Sequence, residues 1–204
     1  MQQARLGRRT RRTRENIYTA AMELFARRGV SNTSMQDIAD QAEIARSTVF
    51  KHYPQKHALL SEFFMRFADD ALSTAKSKNS TGFRGGITAL FQAAQEEALK
   101  VEPVLRQVAG MAVGNGPLAE EEAAVDDQMI AHISDLVSLG LMTGEVHTDI
   151  DVHEAAKLIL CVITETNHEA INRNRVQHLA EDHQSRFDML FRGLGGIKDS
   201  VQPR

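Results

Sequence analysis

The chain has 204 residues, of which 42% are hydrophobic and 25% are charged, which are ordinary proportions for a globular protein. No apolar run approaches the ~20 residues of a membrane-spanning helix, and residues 1–14 are too polar for a secretory signal. The single cysteine, Cys161, excludes an intrachain disulfide framework, and its place on an apolar stripe predicts an inert core thiol. These features argue against a membrane protein or a disulfide-rich secreted protein and predict a cytoplasmic one.

The net charge of −3 is unevenly distributed along the chain. Residues 1–56, here called the basic head, hold 11 of the 24 Lys and Arg and 5 of the 27 Asp and Glu, a balance of +6. Residues 57–204, here called the acidic body, hold the other 13 Lys and Arg and the other 22 Asp and Glu, a balance of −9. A positive head favours the docking of a polyanion such as double-stranded DNA. The alternative is that residues 5–14 form only a disordered, solubilising tail.

The first predicted helix follows a basic N-terminal arm. Its apolar side chains recur with helical spacing from Ile17 to Phe25, and Gly29 is suited to the position just after a helix end. The arginines of the arm could reach DNA phosphates or the minor groove. The arm residues assigned to DNA are Arg8, Arg9, Arg11, Arg12 and Arg14.

Two short helices joined by a tight turn are predicted between residues 34 and 53. Ser34 and Asp37 have the spacing of a capping box at the start of the first helix. The second helix runs from about Ala45 to Tyr53, where Pro54 stops it. Apolar positions turn inward in this pattern, so the polar side chains of the second helix face outward. Such a unit beside a basic terminus is typical of a regulator that places a helix in the major groove of DNA.

The acidic body contains only helical patterns, so the predicted fold class is all-α with about nine helices in total. The polar run over residues 77–86 is the clearest loop and a candidate domain boundary. An apolar stripe from Leu60 to Ala75 predicts a long helix that links head to body, and further helices are expected at about 87–101, 103–113, 117–139, 152–174 and 177–194. Pro103 and Pro117 are placed at helix starts, and Asp151 is placed as a helix cap.

The head motif resembles that of the TetR family of bacterial transcriptional regulators over about residues 11–65. The matching residues are Thr33 or Ser34, Ile38, Ala39, Ala42, Ile44, Thr48, Val49, His52, Tyr53, Lys56 and Leu59 or Leu60. This resemblance implies a helix-turn-helix DNA-binding domain over residues 1–56. It also implies a helical ligand-binding and dimerisation domain over residues 57–204.

Three residues depart from the family pattern. Glu43 stands where the family usually has a turn glycine, which predicts a positive φ at a residue with a side chain. Ala45 replaces a frequent serine and removes a hydroxyl cap from the recognition helix. Phe50 replaces the usual tyrosine, so the contact that the tyrosine hydroxyl often makes with the DNA backbone is lost. An apolar contact, for example with a thymine methyl group, can take its place.

The predicted DNA contacts divide into base reading and phosphate positioning. Arg46 is the first candidate for reading a guanine, with a phosphate contact as the alternative, and Ser47 and Lys51 project from the same side. Tyr53 is ambiguous, because the family slot is usually a buried ring. The full set assigned to DNA in this motif is Thr33, Ser34, Ala45, Arg46, Ser47, Thr48, Phe50, Lys51, His52, Tyr53 and Lys56.

The acidic body offers candidates for a ligand pocket and for a dimer interface. Pocket candidates are polar or bulky side chains on apolar stripes, and each could equally be a core or interface residue: Phe63, Phe67, Phe91, Met111, Met129, His132, Ile163 and Asn167. The last two helices are expected to pair with their symmetry mates, because the final apolar stripe has few other places to be buried. The interface candidates on that stripe are His183, Phe187, Leu190, Phe191 and Leu194.

The sequence therefore predicts a homodimeric transcriptional regulator, a repressor that an unidentified small molecule releases from a near-palindromic operator. Alternatives are a regulator controlled by abundance or by a protein partner, and a small helical enzyme or binding protein. No catalytic residues and no cofactor are predicted. Glu165 and His168 have a metal-site spacing, but a second motif is missing, so no metal is predicted.

Overall fold

The structure is a computed structural model that describes residues 2–108 and 119–194, with side chains described over residues 7–108 and 125–192. The described residues form eight α-helices, one 3₁₀ turn and no strand, which confirms the predicted all-α class. The helices are α1 (Gln2–Arg28), α2 (Met35–Gln41), α3 (Arg46–His52), α4 (Lys56–Ser77), α5 (Gly82–Val108), α6 (Ala119–Thr143), α7 (Val152–Asn172) and α8 (Leu179–Leu194). The 3₁₀ turn, Val176–His178, precedes α8. No described helix is long and apolar enough to cross a membrane.

Helix α5 differs from its prediction. Two helices were expected, with Pro103 opening the second, but a single helix passes through Pro103. The proline costs the helix one hydrogen bond to a carbonyl four residues earlier. Because Pro103 lies on the exposed side of α5, water can satisfy that carbonyl.

The start of α5 also shortens the predicted loop. The Glu145 carboxylate accepts hydrogen bonds from the backbone N–H groups of Phe83 and Arg84, at 3.0 and 3.2 Å. These bonds satisfy donors that the first turn of a helix cannot pair within the helix. Gly86 allows the Leu136 side chain to pack closely against α5, because a Cβ at this position would lie 2.4 Å from Leu136 Cδ2. The glycine-rich end of the predicted loop is therefore helical.

The chain divides into two compact units. Among the described residues, the first unit contains 2–65, 101–108 and 119–121, and the second contains 66–100 and 122–194. The division falls inside α4, whereas the sequence placed it at residues 56/57. Residues 77–86 lie wholly within the second unit. The assignment of DNA binding to 1–56 and of ligand binding to 57–204 stays a prediction.

The core of the first unit comes from α1 to α4. Ile17 and Phe25 on α1, Ile38 on α2 and Val49 on α3 are all fully buried. α1 ends at Gly29, whose φ of 81° confirms the expected glycine position. This buried framework holds α2 and α3 in place.

The core of the second unit joins α4 to α8. An aromatic cluster lies at its centre, where the ring of Phe187 contacts the rings of Phe83 and Phe91 edge to face. Ile133 on α6 and Ile159 on α7 pack into the same fully buried cluster. The inner stripe of α8 is therefore buried within the chain itself.

Candidate nucleic-acid interface

The unit formed by α2 and α3 begins with the predicted capping box. The Ser34 hydroxyl accepts from the Asp37 N–H at 3.1 Å, and the Asp37 carboxylate accepts from the Ser34 N–H at 2.8 Å. Hydrogen bonds from Ser34, with a smaller contribution from the charge of Arg28, lower the pKa of Asp37. The start of α2 is thus fixed by side chains as well as by its buried residues.

The turn before α3 confirms two consequences of the sequence departures. Glu43 has a φ of 55°, in the region that favours glycine. Ala45 occupies the N-cap of α3 and supplies no side-chain hydrogen bond. Asn16 on α1 stabilises the turn, because its side-chain amide donates to the Ala42 carbonyl at 2.8 Å.

Helix α3 has one buried side and one exposed side. Val49 is fully buried and anchors the helix to the core. The exposed side carries Arg46, Ser47, Phe50 and Lys51. This side combines hydrogen-bond donors, positive charge and one aromatic ring, the types of group that read base edges and contact phosphates.

Two residues that were assigned to DNA, Tyr53 and Arg14, have bonding partners within the first unit. The ring of Tyr53 is fully buried and its hydroxyl donates to the Glu62 carboxylate at 2.6 Å, so core packing, the favoured role for the ring, is confirmed. The Arg14 guanidinium also bonds to Glu62, at 2.6 Å, and lies 4.7 Å above the centre of the Tyr53 ring. The structure therefore gives Arg14 a carboxylate partner in its own chain, and a contact between Arg14 and DNA stays a prediction.

Thr33 and Lys56 also have partners in their own unit. Thr33 is buried and its hydroxyl donates to the Gly29 carbonyl at 2.8 Å, so its assignment as a phosphate contact is corrected. The Lys56 ammonium donates to the Val30 carbonyl at 2.7 Å, a contact that the sequence did not predict. A phosphate contact by Lys56 stays a prediction. Thr48 and His52 are half-buried at the edges of α3, whereas Ser34 is exposed at the start of α2.

The basic arm is helical rather than an irregular tail. Helix α1 extends back to Gln2, and Arg8, Arg9, Arg11 and Arg12 are exposed along it. A surface groove of about 560 Å³ lies between this part of α1 and the turn before α3. It is lined by Arg9, Arg12, Thr13, Glu15, Asn16, Thr19 and Ile44. The structure thus places positive charge beside the helix-turn-helix unit.

The pocket candidates are divided between the two units, and their role in binding a ligand stays a prediction. Phe63 is buried in the first unit, whereas Phe91 and Ile163 are buried in the core of the second. Phe67, Met129 and His132 are half-buried in the second unit, and burial lowers the pKa of His132, assisted by the charge of Lys76. Met111 lies outside the described residues.

Two polar atoms in the core of the second unit have no hydrogen-bond partner among the described residues: Asn167 Oδ1 and His183 Nδ1. His183 is fully buried, its ring stacks on Phe91 with centres 4.9 Å apart, and its Nε2 lies 3.2 Å from the Ile163 carbonyl. Burial lowers the pKa of His183 to about 4, although the hydrogen bond to Ile163 opposes the shift. The ring is therefore neutral near pH 7, with Nε2 donating and Nδ1 left as a buried acceptor.

The predicted dimer interface needs a correction. His183 and Phe187 are buried inside their own unit, and Leu190 and Phe191 are half-buried against its core. The stripe on α8 packs on its own chain, because α5 and α7 cover it. Leu194 ends α8, but its side chain lies outside the described ones.

The exposed apolar side chains of α7 and α8 lie elsewhere on these helices. Leu158 is 49% exposed and Met189 is 60% exposed, so both can meet another surface. Cys161 on α7 is also exposed, which corrects the prediction of an inert core thiol. The apolar stripe of α7 that contains Cys161 is therefore wider than the side of α7 that is buried in the core.

Glu165 and His168 lie on α7, where the Glu-x-x-His spacing was noted. Within residues 7–108 and 125–192, no group of three or more His, Cys, Asp or Glu side chains is arranged to hold a metal ion.

The fold and the exposed side of α3 define an all-α protein with a helix-turn-helix unit. Residues 17–63 match the family model described as bacterial regulatory proteins, tetR family. A 57-residue segment is 44% identical to MftR of Mycobacterium tuberculosis, named as a mycofactocin biosynthesis transcriptional regulator, and covers 28% of this chain and 29% of MftR. A 52-residue segment is 38% identical to the HTH-type transcriptional regulator AcrR of Shigella flexneri and covers 26% of this chain and 24% of AcrR. The chain thus aligns with about a quarter of the length of these curated relatives.

The fold of the whole chain is also known from solved structures. FadR of Thermus thermophilus, a TetR family transcriptional repressor in complex with lauroyl-CoA, matches 94% of this chain and 99% of its own. The TM-score is 0.74 at 19% sequence identity, so this likeness shows the fold. Residues 17–63 therefore form a domain of the bacterial tetR regulatory type, and the fold over most of the chain is that of TetR family structures.

Proposed function

We propose that this protein is a cytoplasmic transcriptional repressor that binds double-stranded DNA through α3. The observation that carries the proposal is the exposed side of α3. Arg46, Ser47 and Lys51 project from a helix that Val49 anchors to the core. A rigid helix with donors on its outer side fits the major groove, and its N-terminal residues meet base edges.

The exposed arginines of α1 supply the sequence-independent part of this binding. Neutralised phosphates release counterions, so affinity falls steeply as salt rises. The test is binding of the full-length protein to DNA upstream of its own gene, measured over a salt series. Specific, salt-sensitive binding is expected, and deletion of residues 1–12 should flatten the salt slope while preserving the preferred sequence. The absence of specific binding, or an unchanged slope, would contradict the proposal.

The repressor acts as a homodimer on a near-palindromic operator. One helix of seven residues reads few bases, and a two-fold dimer doubles the number read. Leu158 and Met189 support an interface between two copies of the chain, because both are apolar and exposed on the neighbouring helices α7 and α8. Replacing both by Glu should give a folded monomer, as measured by sedimentation, and that monomer should bind the operator weakly. A double variant that remains dimeric would contradict this interface. The control replaces two exposed apolar side chains on other helices, Leu99 on α5 and Met142 on α6, by Glu.

A small molecule bound in the second unit releases the DNA. Asn167 Oδ1 and His183 Nδ1 support this, because buried acceptors without partners are rare unless water or a ligand satisfies them. A ligand acts if it binds the state with low DNA affinity more tightly than the other state.

Lauroyl-CoA is the first compound to test, because it is bound in a protein of the same fold. Binding should raise the melting temperature and weaken DNA binding, and Asn167→Leu should reduce both effects. Coenzyme A without the acyl chain is the control for the headgroup. If a broader panel of small molecules also leaves stability and DNA binding unchanged, the ligand-independent alternative is favoured.

A further inference from the structure

Phe50 is an unusual residue for the outer side of a recognition helix. Its side chain is 38% exposed, and it lies one helical turn after Arg46. The neighbouring Val49 is fully buried, so α3 already has its anchor in the core. The remaining exposed area of the Phe50 ring is apolar surface that DNA binding could cover.

The ring of Phe50 and the guanidinium of Arg46 form a pair. Arg46 Cζ lies 5.2 Å from the centre of the Phe50 ring, within the range of a cation–π contact. Residues four apart on a helix share one side, so the contact is made along the exposed side of α3. The stacked ring limits the positions of the guanidinium, while the donors at the guanidinium edge remain able to bond elsewhere.

The two groups complement two adjacent features of the major groove. Guanine presents O6 and N7 as paired acceptors, which suit the forked donors of arginine. Thymine presents a C5-methyl group, the apolar feature of the groove, which suits a phenyl ring. Four residues of helix rise about 6 Å, which spans one to two base-pair steps of 3.4 Å. One pair of side chains can therefore reach neighbouring bases.

We propose that Arg46 and Phe50 together read a guanine and a neighbouring thymine in each half-site, with Phe50 recognising the thymine C5-methyl group. This inference rests on the proposed function, since it assigns a base preference to the same helix. Phe50 is then a specificity-determining residue. The phenyl ring has no hydrogen-bonding group, so its contribution depends on the methyl group of the base.

The test replaces thymine by uracil, which removes only the C5-methyl group and keeps the base pair. The preferred operator is first selected from a random DNA library with the full-length protein. Each thymine is then replaced singly, and binding is measured for the wild type, Phe50→Ala, Phe50→Leu and Lys51→Ala. Because the DNA carries the change, the wild-type result does not depend on the folding of a variant.

One thymine beside a guanine in each half-site should matter for the wild type. Uracil there should weaken binding by about fourfold, the effect of burying one methyl-sized group. Phe50→Ala should lose this dependence, Phe50→Leu should keep part of it, and Lys51→Ala should keep it in full.

Two results would overturn the inference alone. Uracil could be tolerated at every thymine, or the methyl dependence could persist unchanged in Phe50→Ala. Both leave sequence-specific DNA binding intact. A library selection that yields no preferred sequence would instead overturn the proposed function, and the inference with it.

Discussion

The first unit carries its polar side chains of interest on the outside of a short helix, whereas the second unit has its unpartnered polar atoms inside its core. On α3, Arg46 and Phe50 are exposed while Val49 holds the helix in place. In the second unit, Asn167 Oδ1 and His183 Nδ1 are buried and have no hydrogen-bond partner within the part of the chain that the structure describes. A macromolecule with a regular groove can be read by an outer surface, whereas a small molecule is recognised when it is enclosed.

This difference changes how a substitution acts in each unit. If α3 reads DNA as proposed, a change on its exposed side alters contacts with DNA and leaves the fold of the unit intact. A change at a buried position of α8 alters the fold before it alters any contact with a partner. Matched substitutions at exposed and buried positions should therefore have different effects on stability.

The largest effect is expected for Phe187→Asp, since Phe187 is 1% exposed at the centre of the aromatic cluster. Loss of a buried phenyl ring costs about 3–5 kcal/mol, and burial of a carboxylate adds to that. The second unit should therefore unfold rather than yield folded monomers. Circular dichroism with urea denaturation measures this. Met189→Asp, at an exposed position of the same helix, should remain folded, and equal destabilisation of the two variants would break the comparison.

The pH dependence of stability should reveal the buried imidazole. The pKa of His183 is about 4 in the folded protein, against about 6.5 when unfolded, so the unfolded state binds more protons between these values. Stability should be fully present above about pH 6.5 and fall by on the order of 3 kcal/mol as the pH drops towards 4.

His183→Phe removes the titrating group and keeps a ring of similar shape. Its free energy of unfolding should change less between pH 6.5 and 4 than that of the wild type. His153→Gln, at an exposed position on α7, is the control for loss of an imidazole. If His183→Phe and the wild type have the same pH dependence, His183 is not held neutral by burial.

The smallest effect concerns the turn before α3. Glu43 has a positive φ, so Glu43→Gly should relieve backbone strain and stabilise the first unit by about 0.5–1 kcal/mol after the entropy cost of glycine. Asp40→Gly, three residues earlier within α2, should destabilise it by a similar amount. Urea denaturation compares the two. Destabilisation by both variants would show that Glu43 makes a contact worth more than its strain.

The features of the first unit that depend on local sequence were predictable. The capping box of Ser34 and Asp37, the positive φ of Glu43 and the end of α1 at Gly29 all follow from residues close together in the chain. The partners of Arg14 and Lys56 were not predictable. Glu62 is 48 residues from Arg14, and Val30 is 26 residues from Lys56, and no periodic pattern connects them.

In the second unit, the sequence revealed helices but not which side each helix buries. The stripe on α8 was correctly recognised as apolar, yet its assignment to a second chain was wrong for His183 and Phe187. An apolar stripe shows that one side of the helix must be buried. Hydrophobicity alone does not show whether α5 and α7 or a second molecule buries it. Residues that approach from elsewhere in the chain, such as Phe91, decide between them.

The most direct test of DNA reading by α3 is the base preference of Arg46→Ala, measured by selection from a random DNA library. A bidentate arginine–guanine contact discriminates by about 1–3 kcal/mol, so the variant should lose preference for guanine at one position in each half-site. Arg11→Ala, an exposed arginine on α1, should weaken binding while selecting the wild-type sequence. If Arg46→Ala also selects the wild-type sequence with uniformly lower affinity, Arg46 contacts phosphate and does not read a base.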